Sequence, residues 1–281
     1  MSRAISRGVA LALAAAVIAT APVASAQQFK PYVGQQGKDV VWVPTPDEVV
    51  ERMLNMAQTK PEDYVIDLGA GDGKITIAAA KKFGARALGI EYNPDMVTHA
   101  QSNARAAGVL GKAQIVHGDI FVTDFTQATV LTMYLLPSLN MKLRPQILAM
   151  RPGTRVVAHA FNMEDWEPDE TSDVDGRRAF LWIVPASVNG RWAMELSGGG
   201  SSEKLNLNLD QKFQKIEGTA YLGPVQAGLR EPRLSGFRIS FAYVDNKSVR
   251  RDFTGRVTGN SMEGSFRTES GQEGRWSATK K

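Results

Sequence analysis

The chain has 281 residues, of which 43% are hydrophobic and 22% charged, and its formal net charge is +4. This length allows one or two domains with a buried core, while the charge is too small to predict a nucleic-acid partner or an anionic membrane. Because the chain has no cysteine, disulfides and thiolate zinc sites are excluded.

Residues 1–26 have the composition of a cleavable export signal. Arg3 and Arg7 form a basic end, residues 9–21 are apolar, and Ala24 and Ala26 give a small-x-small cleavage site. The apolar run is shorter than the roughly 20 residues of a membrane-spanning helix. We therefore expect cleavage after Ala26, giving a periplasmic or secreted protein with no stable membrane span. A mitochondrial transit peptide is the alternative, and an uncleaved leader would act as an anchor with the domain outside.

The next segments predict an α/β domain. Residues 27–43 form a polar lead-in, and Pro44-Thr-Pro-Asp47 indicates a helix start because proline and acidic residues suit the first turn. Strand and helix signals then alternate up to residue 185. The expected strands are 64–68, 87–92, 114–117, 128–134 and 155–160, and the expected helices are 75–83, 94–107 and 137–150. This alternation predicts a doubly wound, Rossmann-like parallel sheet with helices on both faces.

The pattern changes near residues 184–190. From residue 186 to 281 no helical periodicity is found, and segments such as Leu205-Asn-Leu-Asn-Leu209 alternate apolar and polar residues between glycine-containing turns. This pattern predicts a small antiparallel β domain, either a sandwich or a barrel. Gly190-Arg-Trp192 and Gly274-Arg-Trp276 resemble each other at the two ends of this segment and are candidates for the closing strands of one sheet.

A glycine-rich turn follows the first predicted strand, in Val65-Ile-Asp-Leu-Gly-Ala-Gly-Asp-Gly-Lys74. Glycines let the backbone turn sharply and let a ligand approach it closely, and the next helix directs its positive end toward that ligand. The G-x-G-x-G spacing differs from the G-x-G-x-x-G of dinucleotide binders. In addition, Asp67 would repel a diphosphate but hold a cation, such as the amino group of a methionine moiety. Both features argue against an NAD-dependent oxidoreductase.

Two more acidic residues follow the next two strands. Glu91 ends the second strand, where a carboxylate can accept hydrogen bonds from adjacent ribose hydroxyls. Asp119 follows the third strand and can accept a bond from an adenine amine, with Ile120 covering the ring. Each acid alone has a simpler interpretation, as a helix cap for Asp67, a solvated strand end for Glu91 and a turn residue for Asp119. Their joint spacing favours an adenosyl ligand.

Residues 45–185 resemble the class I S-adenosylmethionine-dependent methyltransferases. The resemblance is carried by Asp67-Leu-Gly-Ala-Gly-Asp-Gly73, Glu91 and Gly118-Asp-Ile120. It implies S-adenosyl-L-methionine as the cofactor. Asp67, Gly69 and Gly71 would hold its methionine end and ribose, Glu91 the ribose hydroxyls and Asp119 the adenine.

A closer resemblance links the chain to the small mitochondrial protein-lysine methyltransferases and their bacterial relatives. Those enzymes modify the c subunit of ATP synthase and the adenine nucleotide carrier. The similar segments are Val43-Pro-Thr-Pro-Asp-Glu-Val-Val50, the glycine turn, Thr132-Met-Tyr-Leu-Leu-Pro137 and Pro152-Gly-Thr-Arg-Val-Val157. This resemblance implies a lysine acceptor, with Thr45 closing over the methionine end. The leader and the segment after residue 184 depart from those enzymes and leave a protein or a small molecule open as the acceptor.

The loop after the fourth strand is where the acceptor would meet the methyl group. Methyl transfer depends on in-line positioning and a desolvated pocket more than on acid–base groups. Tyr134 could orient an amine or be a packed core residue. His159, at the end of the fifth strand, could accept a proton or be a hydrogen-bonded structural residue. No pair of histidines has metal-ligand spacing, so no metal site is predicted.

Residues 164–175 are rich in acidic side chains and are interpreted as a solvated loop or as an attractor for a lysine-bearing partner. Trp166 and Trp182 are expected to brace the sheet edge or the acceptor channel. The predicted function is methyl transfer from S-adenosylmethionine, with a protein lysine as the favoured acceptor. The alternative is an exported binding module that keeps the pocket but not the activity. The export signal favours the module, and the intact set of acids favours the enzyme.

Overall fold

The computed structural model describes residues 29–198 and 201–281. The expected leader, residues 1–26, lies outside the described residues. The chain divides into two compact units, Met1–Lys30 and Pro31–Lys281, and the described helices and strands all lie in the second.

Seven of the described strands form the sheet that carries the glycine turn. They are β1 Tyr64–Leu68, β2 Arg86–Glu91, β3 Ala113–His117, β4 Val130–Met133, β5 Arg155–His159, β6 Glu170–Val174 and β7 Arg177–Ile183. Their order is β3-β2-β1-β4-β5-β7-β6; β1 to β5 are parallel, and β7 is antiparallel to both β5 and β6. The order reverses between β1 and β4, so their carboxyl ends flank the crevice where such sheets bind ligands. The predicted doubly wound sheet is confirmed.

The helices of the described chain cover this sheet. They are α1 Asp47–Met56, α2 Lys74–Phe83, α3 Pro94–Ala106 and α4 Pro137–Leu148. Successive side chains of a strand point to opposite faces. Accordingly, Val65 of β1 packs in a cluster with α1 and α2, whereas its neighbour Ile66 packs in a cluster with α4. In the described part of the chain, no helix is long and apolar enough to cross a membrane.

The acidic run at residues 164–175 is only partly a loop. Its second half forms β6, which pairs with β7 through a turn at Asp175 and Gly176. The expectation of a solvated loop was therefore wrong for residues 170–174, where alternate polar side chains lie on an edge strand of the sheet. Trp166 and Trp182 are fully buried behind this edge, and Trp182 Nε1 donates to the Trp166 carbonyl over 2.8 Å.

The remaining described strands form a second, antiparallel sheet. They are β8 Gly190–Gly198, β9 Ser201–Lys212, β10 Lys215–Leu222, β11 Val225–Gly228, β12 Arg230–Ser235, β13 Arg238–Val244, β14 Arg250–Thr258, β15 Ser261–Thr268 and β16 Glu273–Lys280. Their order is β11-β10-β9-β8-β16-β15-β14-β13-β12. Only Leu229 separates β11 from β12, and its N–H donates to the Gly218 carbonyl of β10. The β11–β12 segment thus joins the two ends of the sheet, and the sheet closes into a barrel. The barrel has eight antiparallel strands when β11 and β12 are counted as one strand.

The barrel interior is filled with side chains. Trp192, Tyr243, Phe253 and Trp276 are among its fully buried residues, as expected for a barrel of this size. Strands β8 and β16 pair with each other. The prediction that the two Gly-Arg-Trp segments belong to closing strands of one sheet is therefore confirmed.

Candidate active site

The glycine turn between β1 and α2 has the backbone that its sequence predicts. Gly69, Gly71 and Gly73 have φ angles of 77°, 55° and 80°, a region that favours glycine. A Cβ on Gly71 would lie 2.6 Å from the Trp42 indole nitrogen. Gly71 thus serves both the turn and the close approach of Trp42.

Asp67 lies at the carboxyl end of β1 and is 2% exposed. The Thr132 hydroxyl of β4 donates to its Oδ1 over 2.6 Å. Burial and, to a smaller extent, the charges of Asp72 and Glu91 raise the pKa of Asp67 to about 7, although the Thr132 bond opposes this. A cationic partner stabilises the ionised form of such a buried carboxyl group, and an ammonium group can be this partner.

Glu91 is fixed by two backbone groups at the end of β2. Its Oε2 accepts from the Gly71 N–H and its Oε1 from the Asn93 N–H, both over 2.9 Å. Asn93 in turn caps α3. Each carboxylate oxygen has a second lone pair, so the side chain can also accept bonds from two adjacent hydroxyls.

Asp119, after β3, already has two partners. Its Oδ1 accepts from the Phe121 N–H over 2.9 Å, and its Oδ2 accepts from Lys38 Nζ over 2.6 Å. The Lys38 bond holds the pKa of Asp119 below its usual range. Lys38 Nζ also lies 4.7 Å from the centre of the Tyr92 ring.

Lys38 and Trp42 belong to a short hairpin that the sequence analysis interpreted as an extended lead-in. In this segment, which we call the strap (residues 34–44), Gly37 N–H donates to the Val40 carbonyl and Trp42 N–H to the Gln35 carbonyl, each over 2.9 Å. Trp42, a large aromatic residue inside a polar segment, was the signal that the strap packs against the domain, where it lies against Gly71.

All seven residues proposed for the cofactor line one cavity of about 260 Å³, which the strap partly covers: Thr45, Asp67, Gly69, Gly71, Glu91, Asp119 and Ile120. The end of the cavity formed by α4 and by the loops after β4 and β5 is apolar and aromatic, and it is lined by Tyr134, Leu135, Leu136, Leu139 and Phe161. The carboxyl group of Asp67 suits an amine, that of Glu91 a pair of hydroxyls and that of Asp119 an adenine amine. The residues present therefore fit S-adenosylmethionine.

The two residues proposed for catalysis occupy different positions. Tyr134 lines the cavity. His159 is 4% exposed and lies behind Tyr134, and the centres of the two rings are 4.0 Å apart. His159 Nδ1 is 3.2 Å from the Thr45 hydroxyl. Burial, with a smaller effect of the Arg177 charge, lowers the pKa of His159 to about 4. His159 is therefore neutral at pH 7 and contacts the site through Thr45 and Tyr134.

Phe161 was not among the predicted site residues. It follows β5, lines the cavity and stacks on Tyr134 with ring centres 6.2 Å apart. The only signal in the sequence was an aromatic residue just beyond a strand end, which many core residues share.

Comparisons with known proteins agree with this geometry. Residues 67–170 match the model of the ANTKMT methyltransferase domain. A protein-lysine N-methyltransferase of Saccharolobus islandicus is 45% identical over 151 residues, which are 52% of this chain and 94% of that protein. The mouse ATP synthase c-subunit lysine N-methyltransferase is 33% identical over 132 residues, or 47% of this chain, and the match spans about half (53%) of the mouse protein.

A solved structure shares the fold and carries the demethylated product of the cofactor. It is an RNA methyltransferase from Salinibacter ruber in complex with S-adenosyl-L-homocysteine, 48% identical, with a TM-score of 0.51, covering 52% of this chain and 96% of that one. Nothing in these comparisons favours a non-catalytic module. The chain is an S-adenosylmethionine-dependent methyltransferase and belongs to the same family as the Saccharolobus islandicus protein-lysine N-methyltransferase.

Proposed function

We propose that the protein methylates the side-chain amine of a lysine in another protein. The observation that carries this proposal is the apolar, aromatic end of the cavity, formed by Tyr134, Leu135 and Phe161 among others. An apolar environment disfavours the charged form of an amine and lowers its pKa. Such a pocket therefore promotes the neutral, nucleophilic form of lysine.

The chain's own groups position the reactants. S-adenosylmethionine supplies an electrophilic methyl group when bound. Asp67, Glu91 and Asp119 bind its amine, hydroxyls and adenine, while Tyr134 and Phe161 confine the acceptor chain and exclude water. Neutral His159 supports Thr45 and Tyr134 from behind. Because the acceptor amine is already deprotonated when it attacks the methyl group, no side chain of the protein has to accept a proton from it.

RNA is the second candidate acceptor, since the similar Salinibacter ruber structure is described as an RNA methyltransferase. The composition of this domain gives it no support. Residues 27–185 hold 16 lysines and arginines and 19 aspartates and glutamates, so the domain lacks the excess of basic residues that is typical of nucleic-acid binding.

We further propose that the protein acts outside the cytoplasm after cleavage behind Ala26. The basic end, apolar run and small-x-small site of the first 26 residues support this location. A fusion of residues 1–40 to a reporter that is active only after export tests it. An inactive reporter would place the enzyme with its cofactor in the cytosol.

The experiment that tests the enzymatic proposal has two steps. Calorimetry first measures the binding of S-adenosylhomocysteine to residues 27–281 and to Asp67→Ala and Glu91→Ala, which we expect to bind more weakly. Methyl-labelled S-adenosylmethionine is then offered with poly-L-lysine, with an envelope protein fraction and with RNA. Label recovered as methyl-lysine supports the proposal. Label recovered only as methylated nucleotide would replace it with RNA methylation. If the protein without substitutions does not bind S-adenosylhomocysteine, both the lysine and the RNA proposals fail.

A further inference from the structure

One loop connects the acceptor end of the cavity to the barrel. We call residues 160–167, between β5 and β6, the wall loop. Its Phe161 lines the cavity beside Tyr134, and its Trp166, five residues later, is fully buried against the barrel. The position of the cavity wall thus depends on what holds this loop.

Helix α4 holds the wall loop from one side. The Asn140 side-chain amide donates to the carbonyls of Phe161 and Asn162 over 3.3 and 3.2 Å. Arg144 Nη1 donates to the Met163 carbonyl over 3.1 Å. Arg144 Nη1 also pairs with Asp165, and Trp182 Nε1 of β7 donates to the Trp166 carbonyl, so the indole of Trp166 and the Glu167 carbonyl are the groups left for other partners.

The barrel binds these two groups through the turn between β9 and β10. In this barrel turn, residues 212–215, Gln214 Oε1 accepts from Trp166 Nε1 over 3.0 Å and Gln214 Nε2 donates to the Glu167 carbonyl over 2.7 Å. The Phe213 ring stacks on Trp166, with ring centres 5.8 Å apart and planes inclined by 22°. One glutamine thereby satisfies a buried indole and an adjacent carbonyl at once.

The backbone of the barrel turn is itself unusual. Phe213 has a φ of 55°, a conformation that is costly for a bulky residue and that persists only where surrounding contacts impose it. Two ion pairs flank the turn, Lys212 with Asp165 at 3.3 Å and Lys215 with Glu167 at 2.6 Å. They are exposed and contribute little energy, so Phe213 and Gln214 carry the contact.

We propose that the barrel turn is a positioning element of the active site. Gln214 and Phe213 fix Trp166 and Glu167, and the short wall loop transmits this constraint to Phe161, which stacks on Tyr134 at the acceptor end of the cavity. Gln214 is a positioning residue, since it touches neither cofactor nor acceptor. The proposal rests on the proposed function, because it assigns Phe161 to the acceptor end of the cavity.

The test compares two ligands that differ at that end. S-adenosylhomocysteine has no group at the methyl position, whereas sinefungin carries an amine there and so reaches toward Tyr134 and Phe161. Their dissociation constants are measured by calorimetry for residues 27–281, for Gln214→Met and for Phe213→Leu. Gln226→Met, an exposed glutamine on β11 of the same barrel, is the matched control. Thermal melting establishes that each variant is folded.

We expect Gln214→Met, which loses the hydrogen bonds to Trp166 and Glu167, to weaken sinefungin binding about fivefold, and we expect S-adenosylhomocysteine binding and the control to be unchanged. A folded Gln214→Met or Phe213→Leu protein that binds both ligands like the wild type overturns the proposal. Equal weakening of both ligands overturns it too, because that result reports a general loss of structure. If the wild type binds neither ligand, the proposed function itself has failed, which is a different result.

Discussion

Lys38 Nζ lies 2.6 Å from Asp119 Oδ2, so the tip of the strap holds the carboxylate that is expected to bind adenine. The two side chains come from positions 81 residues apart in the chain and meet at the cavity. The strap and the adenine amine therefore share one carboxylate, and Lys38 takes up one lone pair of Oδ2.

Replacing Lys38 by methionine should free both lone pairs of Asp119 Oδ2 for the adenine amine. We expect Lys38→Met to bind S-adenosylhomocysteine about two- to fivefold more tightly at low salt, a range suited to a partly exposed ion pair. Salt weakens such a pair, so the wild-type affinity should rise with ionic strength while that of Lys38→Met does not. Calorimetry at two salt concentrations measures both effects, with the exposed Lys247→Met as control. Weaker binding by Lys38→Met would show instead that Lys38 supports the adenine site.

Gly71→Ala should displace the strap. The new Cβ would lie 2.6 Å from Trp42 Nε1 at a φ of +55°, whereas Gly223 has a similar φ of +62° and nothing within 4 Å of its Cβ position. Gly223→Ala therefore reproduces the backbone strain, about 1 kcal/mol, without the clash. We expect faster trypsin cleavage after Lys38 and at least about tenfold weaker cofactor binding in Gly71→Ala alone. Equal behaviour of the two variants would mean that the strap does not depend on this contact.

Asp67 and His159 should give the protein's stability opposite pH dependences. The pKa of Asp67 is about 7 in the fold and 3.8 ordinarily, so the folded chain binds more protons across that range and its stability falls as pH rises. The pKa of His159 is about 4 in the fold and 6.5 ordinarily, so its contribution rises with pH and is lost on acidification. The two effects oppose each other between about pH 4 and about pH 6.5.

Single variants should separate these contributions. Relative to the wild type, Asp67→Asn should gain stability as pH rises through this range, and His159→Asn should lose it. Each difference approaches at most about 1.4 kcal/mol per pH unit. Urea unfolding at several pH values measures it. Parallel pH curves for the wild type and either variant would show that the residue titrates normally in the fold.

Cofactor affinity should also follow the ionisation of Asp67. An ammonium group pairs with the carboxylate but not with the protonated acid, so the affinity for S-adenosylhomocysteine should rise up to about tenfold per pH unit below about pH 7 and then level off. Binding should release a proton near pH 6.5, which calorimetry in two buffers of different ionisation enthalpy detects. Asp67→Asn should bind weakly at every pH. An Asp67→Asn protein with wild-type affinity above pH 7 would assign the amine to another partner.

The parts of the fold that could be predicted depend on local pattern. The strand ending at Asp67, the positive-φ glycines after it and the acid at position 91 all follow from short-range rules of periodicity and turn chemistry. These signals lie within a few residues of the features that they specify. One long-range contact is the exception: the pairing of the strands that carry Trp192 and Trp276 was predicted from a repeated tripeptide.

The parts that were missed depend on contacts between distant segments. Nothing near Lys38 in the sequence indicates that its partner is Asp119, and nothing near Phe161 indicates that Gln214 holds the loop behind it. Strand β6 was missed because Glu170 to Val174 is polar on both faces, so an edge strand there has no apolar alternation to detect. Closure of the barrel likewise depends on distant segments, because the β11–β12 segment has to pair with both β10 and β13.

The pairing of β8 with β16 has a consequence for the order in which the chain folds. The described strands of the parallel sheet all end by Ile183, so the cofactor cavity can assemble before the barrel is complete. The barrel, in contrast, joins its first strand to its last, and such a long-range closure is slow. Until β16 arrives, β8 and β15 each present an unpaired edge. The wall loop gains its barrel support only through β9 and β10, so the cavity should reach its final shape later than the sheet that carries it.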